Sequence, residues 1–133
     1  MTDIIINKSA AIRHCLQRIR EEFNQDAEHI ATDFTRQDSV ILNLLRACEA
    51  AIDLANHTIR VNQLGIPQSS RDSFALLAKN RIITTELAEK LQKMVGLRNI
   101  AVHDYQTLNL DIVIHVVQHH LIDFEAFIKQ LAG

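Results

Sequence analysis

Apolar residues recur every three or four positions along most of this chain, and that spacing predicts helices. Ile12, Leu16, Ile19 and Phe23 form the inner stripe of a first helix running from about Ile5 to Phe23. Its outer face carries Arg13, Arg18, Arg20, Glu21 and Glu22. Residues 24–37 lose the stripe, with only Ile30 and Phe34 among polar neighbours, and read as a loop or one loose turn. Asp38 or Ser39 then caps the clearest helix, with Ile41, Leu44, Leu45, Cys48, Ala51, Ile52, Ala55 and Ile59 on one face and an end near Gly65, before Pro67. Ser69, with Asp72 three residues on, is a capping box for a short helix containing Phe74, Leu76 and Leu77. Thr84 or Thr85, followed by Glu86, opens the next long helix, whose buried edge is Leu87, Leu91, Met94 and Val95. Asn109 begins the last, with Val113, Val117, Leu121, Phe124, Ile128 and Leu131 facing inward.

Four long helices and one short one, joined by brief loops, predict an all-α antiparallel four-helix bundle in a single domain, residues 1–133. Composition agrees. Three glycines and one proline leave the helices uninterrupted, and there is neither strand alternation nor a glycine-rich phosphate loop. Ile112, Ile114, Val116, Ile122 and Phe127 add apolar positions beyond one stripe, which implies a partner surface. Gly96 sits inside a helical pattern at a cost of about 1 kcal/mol relative to alanine, so close packing or a ligand against the backbone is expected there.

Net charge is −2, which excludes indiscriminate coating of nucleic acid, but its distribution is uneven. Residues 58–98 hold seven Lys/Arg against three acids, a balance of +4, and the remainder is at −6. That basic middle either attracts RNA or solvates helix faces. Cys15 and Cys48 are isolated, without a CxxC pair, and fit a reducing cytoplasm. Ile4-Ile5-Ile6 is too short, and too soon followed by Lys8 and Arg13, to be a signal core or a membrane span.

The candidate chemistry lies in Arg98-Asn99-Ile100-Ala101-Val102-His103-Asp104-Tyr105. An arginine is a permanent planar cation that forks onto phosphate oxygens, and a histidine exchanges protons near neutral pH. The pair suffices for phosphodiester cleavage without a metal: His103 removes a ribose 2′-OH proton, and Arg98 neutralises charge building on the phosphate. Asn99 orients either the phosphate or the imidazole. At about 100° per residue, however, Arg98 points well away from His103 and falls nearly in line with Tyr105. Either the helix ends inside the motif, or Arg98 reaches round, or a second copy of the chain completes the site.

This octet resembles the RX4-6H signature of HEPN ribonucleases, in the RX4HXY form of the HepT toxins. Ala47-Cys48-Glu49-Ala50-Ala51-Ile52-Asp53-Leu54-Ala55 and Met94-Val95-Gly96-Leu97-Arg98-Asn99 also resemble that family, in its order and spacing. The resemblance implies a homodimeric, metal-independent endoribonuclease that needs no cofactor. It would be the toxin of a type VII-like toxin–antitoxin pair, cleaving tRNA or mRNA by 2′-OH attack with catalytic Arg98 and His103 and supporting Asn99. It further implies that Tyr105 is adenylylated by a cognate minimal nucleotidyltransferase (MNT) antitoxin, whose added AMP would block the cleft by bulk and charge. The alternative function is a non-catalytic helical module that partners a nucleotidyltransferase and holds a nucleotide phosphate on Arg98.

Two other clusters invite weaker readings. Glu49, Asp53 and His57 at i, i+4 and i+8 read as a polar seam or an ion-paired face, with support of a histidine as the lesser reading. His115 and His119, with His120 beside them, have metal-capable spacing but no carboxylate to complete a ligand set, so no metal is expected.

Overall fold

The computed structural model describes residues 3–133, and within them every regular element is helical. Seven α-helices run α1 (Asp3–Phe23), α2 (Ala27–Thr32), α3 (Phe34–Val61), α4 (Ser70–Lys79), α5 (Thr85–His103), α6 (Leu110–His119) and α7 (Leu121–Ala132). A single 3-10 turn, Tyr105–Thr107, joins α5 to α6. Helix α1 lies along α3 and the short α4 along α5, while α6 and α7 together make the fourth stave of the bundle. The inward stripes are those the periodicity predicts. Ile12, Leu16, Ile19, Leu44, Ala55, Leu91, Val113 and Phe124 are all buried, and Phe74 meets Phe127 edge-on with ring centroids 5.5 Å apart. No described helix is long and apolar enough to cross a membrane.

Ser69, Thr84 and Asn109 cap α4, α5 and α6 as expected, each accepting a backbone N–H of the following turn. Three boundaries differ. Residues 24–37 are not a loop: Asp26 caps α2, and Asp33 caps α3 by accepting the Arg36 N–H at 3.2 Å. Asp38 therefore stands in the second turn of α3 rather than at its start. The far end of α3 comes at Val61, before Gly65, because Gln63 takes φ 54° and the Leu64 N–H closes back on the Ile59 carbonyl at 2.9 Å. The last helix is broken at His120, whose φ of −122° and ψ of 1° leave the helical region; its ring lies 2.9 Å from the buried Asp123 carboxylate.

Candidate active site

The site is built on the last two turns of α5. Arg98 extends the buried stripe Leu87, Leu91, Met94 by one further turn, so its side chain enters the bundle and is only 17% exposed. Its guanidinium is held on two sides. Nη1 pairs with Glu49 Oε1 of α3 at 3.1 Å, and Nη2 donates to Ser70 Oγ of α4 at 3.2 Å. Nε is buried without an acceptor, which leaves the group with unmet donor capacity. Beside it is a small pocket of about 10 Å³ between α3, α5 and α6, lined by Leu44, Cys48, Leu97 and Val113.

His103 is the last residue of α5 and is exposed; its ring makes no hydrogen bond or ion pair among the described residues. Asn99, one turn earlier on the same stripe, is half-buried. The helix stays regular from Arg98 through His103, so the two side chains keep the divergence that helical geometry imposes. It ends at Asp104, inside the octet but beyond the histidine. Tyr105 consequently leaves the stripe of Arg98, where a straight helix would have placed it. In the 3-10 turn its hydroxyl donates to Asp38 Oδ1 of α3 at 2.6 Å. Desolvation, then the hydrogen bond to Asp38 and the negative charge there, push its phenol up to about 12. Asp38 and Tyr105 flank an open groove of about 440 Å³ floored by Ile41, Leu42, Leu45 and Ala101.

Glu49, Asp53 and His57, which the sequence offers as a polar seam or an ion-paired face, take separate partners, and two of them are ion-paired. Glu49 goes to Arg98, Asp53 pairs with Lys8 at 3.0 Å, and His57 is buried beside Arg60. Ser70 and Asp38 were missed as site residues. Both lie far from the octet in sequence and carry no spacing that would tie them to it. Cys48 lies next to Arg98, yet burial pushes its thiol up to about 12, with Arg98 offsetting only part of that, so it is no nucleophile at neutral pH. His115 stacks its ring near His119 and His120, at 4.7 and 5.3 Å between centroids, and no group of three or more potential metal ligands occurs among the described residues.

Known proteins share this architecture. Residues 12–131 match the family described as Ribonuclease HepT-like. The mRNA nuclease HepT of Shewanella oneidensis is 67% identical over 128 residues, covering 96% of both chains, and the tRNA nuclease HepT of Aphanizomenon flos-aquae is 25% identical over the same length, covering 96% of this chain and 87% of its own. Among solved structures, a tri-AMPylated Shewanella oneidensis HEPN toxin in complex with an MNT antitoxin superposes with a TM-score of 0.95, at 65% identity, over 99% of this chain and 98% of that one.

Proposed function

This chain belongs to the HepT-like ribonuclease family, and on that premise we propose that it cleaves RNA at the outer rim of α5, with His103 as base and Arg98 as the compensating charge. It is an endoribonuclease and the toxin of a toxin–antitoxin pair. The observation that supports the site assignment is the contrast between its two principal residues: Arg98 is clamped in plane by Glu49 and Ser70, while His103 stands open at the helix end. A docking module has no use for both. An electrophilic catalyst gains from a preorganised cation, and a base must be free to meet its proton.

His103 takes the proton from a ribose 2′-OH as that oxygen attacks the neighbouring phosphorus. The bond from phosphorus to the 5′-oxygen breaks, leaving a 2′,3′-cyclic phosphate, and the departing oxygen takes up a proton to become a free 5′-OH. Arg98 stabilises the extra negative charge on the phosphoryl oxygens, and Asn99 orients the phosphate or the imidazole. One motif supplies one histidine and keeps Arg98 turned away from it, so a two-fold homodimer is the arrangement that provides both an acid and a base in one cleft. The groove between Asp38 and Tyr105, with Leu42 in its floor, is where the second copy docks.

Regulation rests on Tyr105. The residue is 46% exposed, and its hydroxyl is already positioned by Asp38. An MNT-type nucleotidyltransferase supplies the AMP: the phenolic oxygen bonds to the α-phosphorus of ATP, pyrophosphate leaves, and the phenolic proton passes to Asp38. The bulky anion then sits two residues from His103 and repels an RNA phosphate.

Purified chain incubated with RNA in EDTA tests this reading. The expected products carry cyclic phosphate or 3′-phosphate ends, and Arg98→Ala and His103→Ala each lower the rate by at least about 100-fold while remaining helical. Coexpression with the nucleotidyltransferase adds whole AMP units to the intact mass and silences cleavage; Tyr105→Phe takes none. Full activity of His103→Ala overturns the catalytic assignment, and modification of Tyr105→Phe overturns the acceptor.

A further inference from the structure

Helix α5 has a second cation beside it. Arg71, the second residue of α4, crosses to α5 and donates from Nε to the Gln92 carbonyl at 3.3 Å, and the Gln92 side-chain amide returns a hydrogen bond to the Arg71 carbonyl at 3.0 Å. The guanidinium then lies over Gly96. A Cβ at that position would stand 2.6 Å from Arg71 Nη2 and would push the guanidinium aside, so the glycine leaves the room in which the arginine tip lies. This is the close approach that a glycine inside a helix leads one to expect.

The seat is on a telling stripe. Gly96, Asn99 and His103 follow one another at i, i+3 and i+7, which puts Arg71 on the same side of α5 as the proposed base, two turns away. The separation is roughly 10 Å along the axis, or a few nucleotides of a stacked strand. Charge bookkeeping separates the two arginines. Arg98 has Glu49 as counter-ion, whereas Arg71 is exposed, and among the described residues its terminal nitrogens have no hydrogen-bond partner and no carboxylate is in ion-pair contact with it. A guanidinium fixed at Nε, with its fork open to solvent and uncompensated, is arranged to receive an anion.

We propose that Arg71, seated on Gly96, is an RNA-binding residue that grips a backbone phosphate a few nucleotides from the scissile step and sets the strand's register on His103. The inference rests on the ribonuclease reading above. It adds a positioning contact: Arg71 takes no part in bond making or breaking, and because phosphate carries no sequence information it contributes affinity and alignment rather than base choice.

The test is binding of a fluorescein-labelled single-stranded RNA of mixed sequence, followed by anisotropy between about 50 and 200 mM salt in the His103→Ala chain. Added Arg71→Gln is expected to weaken binding about tenfold at the low end and to flatten the log–log salt slope by about 0.7, the share of one phosphate contact on a single strand. Arg71→Lys restores most of both. In the chain with His103 intact, Arg71→Gln raises KM by roughly tenfold and leaves kcat within about twofold. Lys79→Ala, at the other end of α4, changes neither. A salt slope unaltered by Arg71→Gln, or Arg71→Lys as weak as Arg71→Gln, makes the arginine a hydrogen-bonded brace between α4 and α5 and overturns the proposal while the ribonuclease reading stands. A wild-type chain that neither binds nor cleaves RNA overturns both.

Discussion

A tyrosine whose hydroxyl is committed to a carboxylate holds its proton, and Tyr105 is in that position against Asp38. Loss of hydration, the hydrogen bond and the adjacent charge each favour the neutral phenol, which raises it from the ordinary 10 to about 12. The sign for stability follows. The folded state prefers the protonated form, so the contribution is whole below the ordinary value near 10 and is lost as pH climbs through about 12. Because the chain has one tyrosine and no tryptophan, tyrosinate absorbance reports this group alone. Native chain should remain largely un-ionised at a pH where its urea-unfolded form has titrated, and Asp38→Asn should move the native midpoint down toward the unfolded one; a native midpoint already at the unfolded value would show that the contact with Asp38 does not persist in solution. At this scale the sequence singles out Arg98, His103 and Tyr105 as the proposed site, because they share one octet. It concealed Glu49, Ser70, Asp38 and Arg71, whose relation to the octet exists only once α3 and α4 are packed on α5. Gly96 was the one local trace of Arg71.

Helix boundaries were legible wherever a side chain does the capping next to an apolar stripe, and illegible where the stripe begins late. Helix α3 shows the second case. Its first turn carries Phe34 in solvent, at 75% exposure, and its buried positions start only at Val40, so the pattern looks like a loop until Asp33 is seen accepting the Arg36 N–H. The two Schellman-like ends are hidden for a different reason. Gln63 and Arg81 occupy the left-handed position at φ 54° and 62° where glycine is the usual signal, and the strain is carried by the closing bonds from Leu64 to Ile59 and from Ile82 to Leu77. The break at His120 has no proline or glycine either; it depends on the buried Asp123 carboxylate, a tertiary cause that periodicity cannot register. Asp33 offers the sharper test. It ends α2 and starts α3, so Asp33→Ala should cost about 1–2 kcal/mol in urea unfolding, toward the upper part of the range for a lost N-cap. Asp33→Asn, which keeps an accepting oxygen, should recover most of it. Equal losses in the two variants would mean that the ion pairs of Asp33 with Arg36 and His29, rather than the cap, hold this corner.

For the whole molecule, the surplus of apolar helix surface resolves into two parts. Phe127 and Val116 are taken up by the core while Ile112 and Ile122 remain 51% and 67% exposed, and besides these Leu42, Ile100 and Val102, between 44% and 49% exposed, sit on or beside the elements that carry Asp38, Tyr105 and His103. An exposed apolar rim around the proposed catalytic side chains is costly for a monomer and is what a shared cleft requires. The chemistry makes the same demand, since 2′-OH attack needs a proton taken and a proton given while one chain presents one suitably placed histidine. We therefore expect the chain to be a dimer by light scattering at micromolar concentration, and Leu42→Glu, which sets a charge into the groove floored by Ile41, Leu45 and Ala101, to shift it to monomer. The variant should keep its helical circular dichroism, because Leu42 is at the surface of α3, and should lose RNA cleavage by at least about 100-fold, since removing the general acid alone is worth that much. Ile66→Glu is the control: it changes an equally apolar residue, 82% exposed on the α3–α4 connection and outside the groove, and should leave dimer and activity intact. A folded Leu42→Glu monomer that cleaves RNA at the wild-type rate would establish that one chain carries the complete proton relay, and the second copy would then have no part in the chemistry.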